Sequence, residues 1–311
     1  MVPLSNKQRN IMKRNIFGMI IWNGQPAIWL TLNPNDIGNP LCCKIAGVRI
    51  PINMPPKLRR YLRQIIATND PVSVAKFFKI VVDSFIQNIV RIGDKKGGIF
   101  GPCDSFYATV EASGRGALHL HCLIWMMGNI SLKELGIKMR QDEEFSNSVI
   151  SLLEQIIVQS LEIVDTNMDP GVPLLERTID PDSVEFEANL ARDSNLIAAR
   201  FNQHTHTFSC RKYKAGERSC RFGAPWKLVE KSFIDEEGCI QLKRNDAYVN
   251  KWNPVMASTL RCNHDIKFIP GERGFLGLVY YITDYATKLS KPLYHTFSIA
   301  AGLKSESRDE G

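Results

Sequence analysis

The chain of 311 residues is 44% hydrophobic and 23% charged, close to the globular average, which excludes wholesale disorder. At roughly 100–200 residues per domain it has room for about two domains, or one with a large insertion. Net charge is +7, unevenly spread: +10 over residues 1–130, −8 over 131–200 and +5 over 201–311. Two basic segments flanking an acidic one suggest a polyanionic partner, because Lys and Arg release condensed counterions when they meet phosphates; an ordinary solvated surface is the alternative. No apolar run approaches the ~20 residues that span a bilayer. The polar, basic residues 1–15 lead into no signal-peptide core, so an intracellular protein with no membrane partner is expected. Eight cysteines spread along such a chain read as core residues or metal ligands rather than disulfides.

Residues 5–21 read as a helix ending near Asn23-Gly24, a turn signal. The apolar residues 27–32, closed by Asn33-Pro34, read as a short buried strand. Residues 39–56 carry four prolines and read as loop. Two helices follow. The first, over 57–67, carries Leu58, Tyr61, Leu62 and Ile65 on one face. The second starts at Asp70-Pro71, an N-cap followed by proline, and runs through Phe77, Ile80, Val81, Phe85 and Ile89. Residues 105–112 and 117–126 read as a hairpin around Ser113-Gly114-Arg115-Gly116. The acidic residues 131–200 read as a mainly helical insertion broken at Asp169-Pro170-Gly171. Residues 201–230, rich in Cys, His and basic side chains, lack periodicity, and 275–290 return to a helical pattern. The expected organisation is thus 1–130, the insertion 131–200, a Cys/His-rich segment 201–270, and a final helix with its tail, 271–311.

Three constellations offer chemistry. Within the second hairpin strand, His119 and His121 stand at i and i+2, on one face, where two imidazoles can share a divalent metal. Leu118, Leu120, Cys122 and Ile124 fill the other face, so the strand is expected to be central. A pair of hydrogen-bonded core histidines is the competing reading. Glu111, across the hairpin, is a candidate third ligand or a solvated hairpin-end carboxylate. Secondly, Tyr281 and Tyr285 would share a helix face beside Lys288, either as two phenols able to attack phosphate or as an aromatic stripe packed on the sheet. Thirdly, His204, His206, Cys210, Cys220 and Cys262 (with His264 close by) include enough ligands for a structural zinc, or else are buried cysteines and surface histidines. Neither a Walker-type phosphate loop nor a Gly-x-Ser-x-Gly nucleophile elbow is present.

In order along the chain, five segments resemble the Helitron helicase-like N-terminal domain, the Rep part of Helitron rolling-circle transposases. They are Gly24-Gln25-Pro26 through Asn33-Pro34, Phe106-Tyr107 through His119-Leu120-His121, Cys220-Arg221-Phe222-Gly223-Ala224-Pro225, Asn263-His264-Asp265-Ile266, and the tyrosine segment from Tyr280 to Lys288. Ser113 and Ala224 stand where that family usually has Gln and an aromatic residue. The resemblance implies an α+β fold of the HUH-endonuclease type: a central antiparallel sheet flanked by helices. It implies His119, His121 and Glu111 as ligands of magnesium or manganese and Tyr281 and Tyr285 as nucleophiles. The implied activity is nicking and strand transfer of single-stranded DNA at transposon ends through a 5′-phosphotyrosine, in the nucleus. The helicase that follows this domain in full-length relatives has no counterpart in these 311 residues. Arg115, Arg211, Lys212 and Arg221 are candidate DNA contacts. Two other readings are a catalytically inactive transposon-derived DNA-binding module and a hydrolase using water at the His pair.

Overall fold

The computed structural model describes residues 6–51, 53–113, 116–128, 130–162, 182–207, 210–214, 217–236 and 238–269. Helix α1 (Asn6–Asn23) leads into strand β1 (Ile28–Asn33). The proline-rich stretch read as loop contains a short helix, α2 (Pro40–Ile45). Asn39 caps it, its side chain accepting from Leu41 N, and Pro40 takes the first helical position, where a missing N–H costs nothing. Helices α3 (Pro56–Asn69) and α4 (Pro71–Ser84) follow. Asp70 caps α4 by accepting from Ser73 N at 2.9 Å. The last turns, Phe85–Val90, widen into a π-helix that stops at Arg91, which has a left-handed backbone. Close packing follows it: a Cβ on Gly98 would lie 2.0 Å from Ile89 O, so only glycine fits.

Strands β2 (Cys103–Ser113) and β3 (Ala117–Met126) form the expected hairpin. Helices α5 (Leu132–Gln141), α6 (Glu143–Ile156) and α7 (Phe186–Phe201) come from the acidic stretch; its expected break at Asp169-Pro170-Gly171 lies outside the described residues. Two small hairpins follow, β4 (Arg211–Lys214) with β5 (Glu217–Cys220), and β6 (Phe233–Ile234) with β7 (Ile240–Gln241). Helix α8 (Pro254–Leu260) and strand β8 (Asn263–Phe268) complete the described chain.

The main sheet has four antiparallel strands in the order β2-β3-β1-β8, so the histidine strand is central. One face carries Ile28, Leu30 and Leu32 from β1, Leu120, Cys122 and Ile124 from β3, and Ile266 from β8. It packs on Phe78 of α4, Phe85 and Val90 of the π-helix, Leu153 and Ile156 of α6, and Met256 of α8. The opposite face is apolar at one end only, where Trp29, Leu123 and Trp125 pack on Ile16 of α1 and on Ile269. Trp125 is fully buried and donates its indole N–H to Gly24 O at 2.8 Å. Truncating such a side chain costs about 3–5 kcal/mol, and α1 covers that end of the face through Ile16. The other end of this face is polar and open.

Candidate functional site

Strand alternation places alternate residues of the four strands in rows across this open face. Register sets Glu111 opposite His119 in one row, with Asn33 opposite Asn263 on the other pair of strands. The neighbouring row runs Thr109, His121, Thr31, Asp265. The two histidines therefore do share a face with Glu111.

His121 is buried, its ring stacked on Trp29 with centroids 5.7 Å apart. Its Nε2 lies 3.1 Å from Glu111 Oε2 and its Nδ1 3.1 Å from Thr31 Oγ1. His119 is half-buried, with Nδ1 in a short hydrogen bond to Asn33 Oδ1. Does this set suit a divalent ion? Adjacent ligands of an octahedral ion with bonds near 2.1 Å lie ~3 Å apart, the spacing that His121 Nε2 and Glu111 Oε2 show. Two imidazoles and a carboxylate also suit manganese in donor chemistry. The ligand atoms of His119, His121 and Glu111 do not, however, all lie close together around one point, as those of a second group do.

That second group is His204, His206, Cys210 and Cys220, whose ligand atoms all lie within 4.8 Å of one another. Cys220 Sγ is 3.3 Å from His204 Nε2, and Cys210 Sγ is 3.5 Å from His206 Nδ1. Sulfur and nitrogen ligands of a tetrahedral zinc, with bonds near 2.3 and 2.0–2.1 Å, lie ~3.5 Å apart, so the donor set and spacing both fit. The protonation states fit as well. Burial pushes the Cys220 thiol up, but backbone N–H groups of Phe222, Ala224 and Gly223 and the Cys210 side chain outweigh it and hold the thiol below its ordinary value. Burial, with His206 and Arg221 nearby, lowers His204 and favours its neutral, ligating form. Cys262 does not join this group. It is fully buried among the apolar residues of the main core, and burial pushes its thiol up to about 12. The chain bends there because α8 ends at Arg261 in a left-handed conformation, which turns Cys262 inward. Nor is His264 with the other four: it is buried beside α8, taking a hydrogen bond on Nε2 from Asn253 N at 2.9 Å. None of the eight cysteines is in a disulfide.

One histidine from each group, His121 and His204, lines a cleft of about 1610 Å³. Its floor is the open sheet face, with Trp29, Thr31, Asn33, His121, Asn263, Asp265 and Lys267; its wall includes His204, Arg221, Phe222, Trp226 and Arg244. Six Lys and Arg residues and three carboxylates line it, giving a basic balance. Arg221 lies 4.5 Å from the centre of the Phe222 ring, and Arg244 lies 4.9 Å from that of Trp226. Phe222 is half exposed and lines the cleft. The strand that carries both histidines is thus interior to a four-stranded antiparallel sheet, beside a basic and aromatic wall.

Residues 1–124 match the family model of the Helitron helicase-like domain at N-terminus. No curated protein matches the chain. The Helitron helicase-like match covers α1, β1, Glu111 and both histidines and ends inside β3. It points to a Helitron transposase-related function that involves DNA. The cleft wall and β8 lie beyond the matched segment. No helix among the described residues is long and apolar enough to cross a membrane.

Among the remaining candidates, Arg211 and Lys212 lie in β4, opposite Cys220 and Ser219. Arg115, Tyr281, Tyr285 and Lys288 lie outside the described residues. Sequence reasoning missed Thr31, Asn33, Asn263, Asp265 and Arg244 as parts of the site. Asn33-Pro34 and Asn263-His264-Asp265 fall in the two segments that carried the family resemblance, a signal that pointed at the right strands without giving these side chains a role.

Proposed function

We propose that the chain is a Rep-type HUH endonuclease and strand transferase acting on single-stranded DNA at the ends of a Helitron-like element, in the nucleus. The observation that carries this reading is the placement of His119 and His121 on one face of a central strand, with Glu111 opposite His119 and with His121 on the floor of a basic cleft. A magnesium or manganese ion bound by His119, His121 and Glu111 would supply Lewis-acid polarisation of the scissile phosphate. The chain's own groups do the rest. Arg221, Lys227 and Lys267 neutralise the backbone of the strand in the cleft, and Phe222 and Trp226 stack on its bases. Tyr281 or Tyr285 attacks the phosphorus: the phenol O–P bond forms, the P–O3′ bond breaks, and the phenolic proton ends on the departing 3′-oxygen. The products are a 5′-phosphotyrosine and a free 3′-hydroxyl, which conserves the bond for later transfer. Lys288 stabilises charge at the phosphate. Zinc held by His204, His206, Cys210 and Cys220 would staple the segment that brings His204 and Arg221 to the cleft.

The test is a denaturing gel with labelled single-stranded oligonucleotides spanning the element's ends, in manganese. Wild type runs beside His121→Ala and the Tyr281→Phe/Tyr285→Phe double variant. A protein–DNA adduct that survives denaturation and is lost in both variants is the expected result. Cleavage that persists without either tyrosine would replace the reading with a water-using nuclease. A second reading, a DNA-binding module without turnover, is favoured by the direct His121–Glu111 contact, which satisfies both groups without an ion. Retention of DNA with no cleavage of a suitable end would select it.

A further inference from the structure

The row that holds His119 continues beyond it through three hydrogen bonds. Asn263 Nδ2 lies 2.6 Å from the Phe201 carbonyl oxygen at the end of α7. Asn33 Nδ2 lies 3.1 Å from Asn263 Oδ1. Asn33 Oδ1 in turn meets His119 Nδ1 in the short contact described above. Side-chain amides can in principle be turned over, exchanging donor and acceptor. Here the anchor removes that freedom. A backbone carbonyl only accepts, so the Asn263 atom facing it must be the N–H₂ group, and Asn263 must offer its oxygen to Asn33. Asn33 must then donate to Asn263 and offer its own oxygen to His119. Reversing any one amide would set two acceptors or two donors against each other. His119 therefore donates through Nδ1–H, and in the neutral ring the lone pair is on Nε2.

We infer that Asn33 and Asn263 are positioning residues that fix the tautomer of His119, so that Nε2 is its ligating nitrogen. Within the metal-centre reading proposed above, on which the role rests, they are the outer partners that orient a first ligand. The anchor comes from the C-terminal end of α7, the last helix of the acidic insertion. The state of His119 is thereby tied to an element about 80 residues further along the chain.

The experiment is long-range ¹H–¹⁵N NMR of the imidazoles in protein prepared without magnesium or manganese, above the ordinary histidine titration range, with the signal assigned by His119→Gln. Wild type is expected to show the Nδ1–H tautomer. Asn33→Leu and Asn263→Leu should shift it toward a mixture, and Asn33→Asp, which keeps an acceptor against Nδ1–H, should retain it. Manganese affinity measured by titration calorimetry should fall about 10–100-fold in Asn33→Leu and less in Asn33→Asp, the usual range for loss of an outer partner. An Nε2–H tautomer in wild type overturns the inference, whether or not the leucine variants fold. So does an unchanged tautomer in a folded Asn33→Leu variant. The expected tautomers with no manganese binding by wild type would keep the Asn relay and count against the metal-centre reading instead.

Discussion

Thr31 and His121 face each other across the two central strands, with Thr31 Oγ1 3.1 Å from His121 Nδ1. Glu111 accepts at the other nitrogen, so the neutral ring donates through Nε2 and Nδ1 accepts from the threonine hydroxyl. Without a bound ion, the two neutral rings, two residues apart, thus carry their protons on opposite nitrogens. Thr31→Val keeps the shape and removes the donor. It should lower stability by about 1 kcal/mol, read as a shifted urea midpoint at unchanged slope. An unaltered midpoint would mean that this hydrogen bond contributes nothing.

The four-residue cluster predicts one equivalent of zinc in the purified protein, measured by elemental analysis. Cys210→Ala and Cys220→Ala should lose it and lower the melting temperature, as should a strong chelator added to wild type. Cys262→Ala is the informative control. It removes a buried core sulfur and should destabilise, yet keep the zinc. Zinc loss in Cys262→Ala alone would reassign the ligands.

His264 makes the fold sensitive to acid. Burial lowers it to about 4, while backbone contacts at Cys262 and Asn253 oppose the shift without reversing it. Above the ordinary value of 6.5, folded and unfolded chains both hold it neutral, and it contributes no pH dependence. Between 6.5 and 4 the unfolded chain takes up a proton that the folded chain refuses, so stability falls as pH falls. The slope is at most about 1.4 kcal/mol per pH unit. Denaturation midpoints from pH 8 to 4 should therefore decline below about 6.5 in wild type, and decline less steeply in His264→Leu. Parallel curves would show that other groups govern acid unfolding.

Trp226 rests on Arg244, whose guanidinium is itself held by Gln159 Oε1, Asp246 O and Val249 O. A ring fixed in this way is suited to base stacking. Trp226→Ala should weaken binding of a single-stranded oligonucleotide by about 1–3 kcal/mol in a fluorescence titration, with little change in its salt dependence. Arg221→Ala should instead reduce the salt slope. If Trp226→Ala binds as wild type does, the strand takes another path.

Local signals were the legible part. Asp70-Pro71 specified the start of α4, and the glycine-rich turn with its flanking alternation specified the β2-β3 hairpin. Both depend on neighbours within a few residues. The Pro40–Ile45 helix was obscured because proline signals both loop and first helical turn, and only its Asn39 cap separates the two. The histidine pair and the zinc-type cluster were visible as spacing, but register was not. That Glu111 meets His121 through its side chain, while standing opposite His119 in the backbone ladder, depends on side-chain geometry that composition does not encode. Strand β8 was the larger omission. Asn263, Asp265 and Lys267 alternate with His264 and Ile266, but six residues after a short helix give a weak periodic signal. Their partner, β1, lies some 230 residues earlier.

That distant pairing has a consequence for the segment that matches the Helitron domain. Cut at residue 124, the chain would end inside β3 and lack β8, which covers the free side of β1 from Ile28 to Asn33. The backbone amides and carbonyls of a strongly apolar strand would then be bare, a template for pairing with the same strand of another molecule. A truncated version should therefore self-associate through β1, the strand that flanks the histidine strand in the sheet.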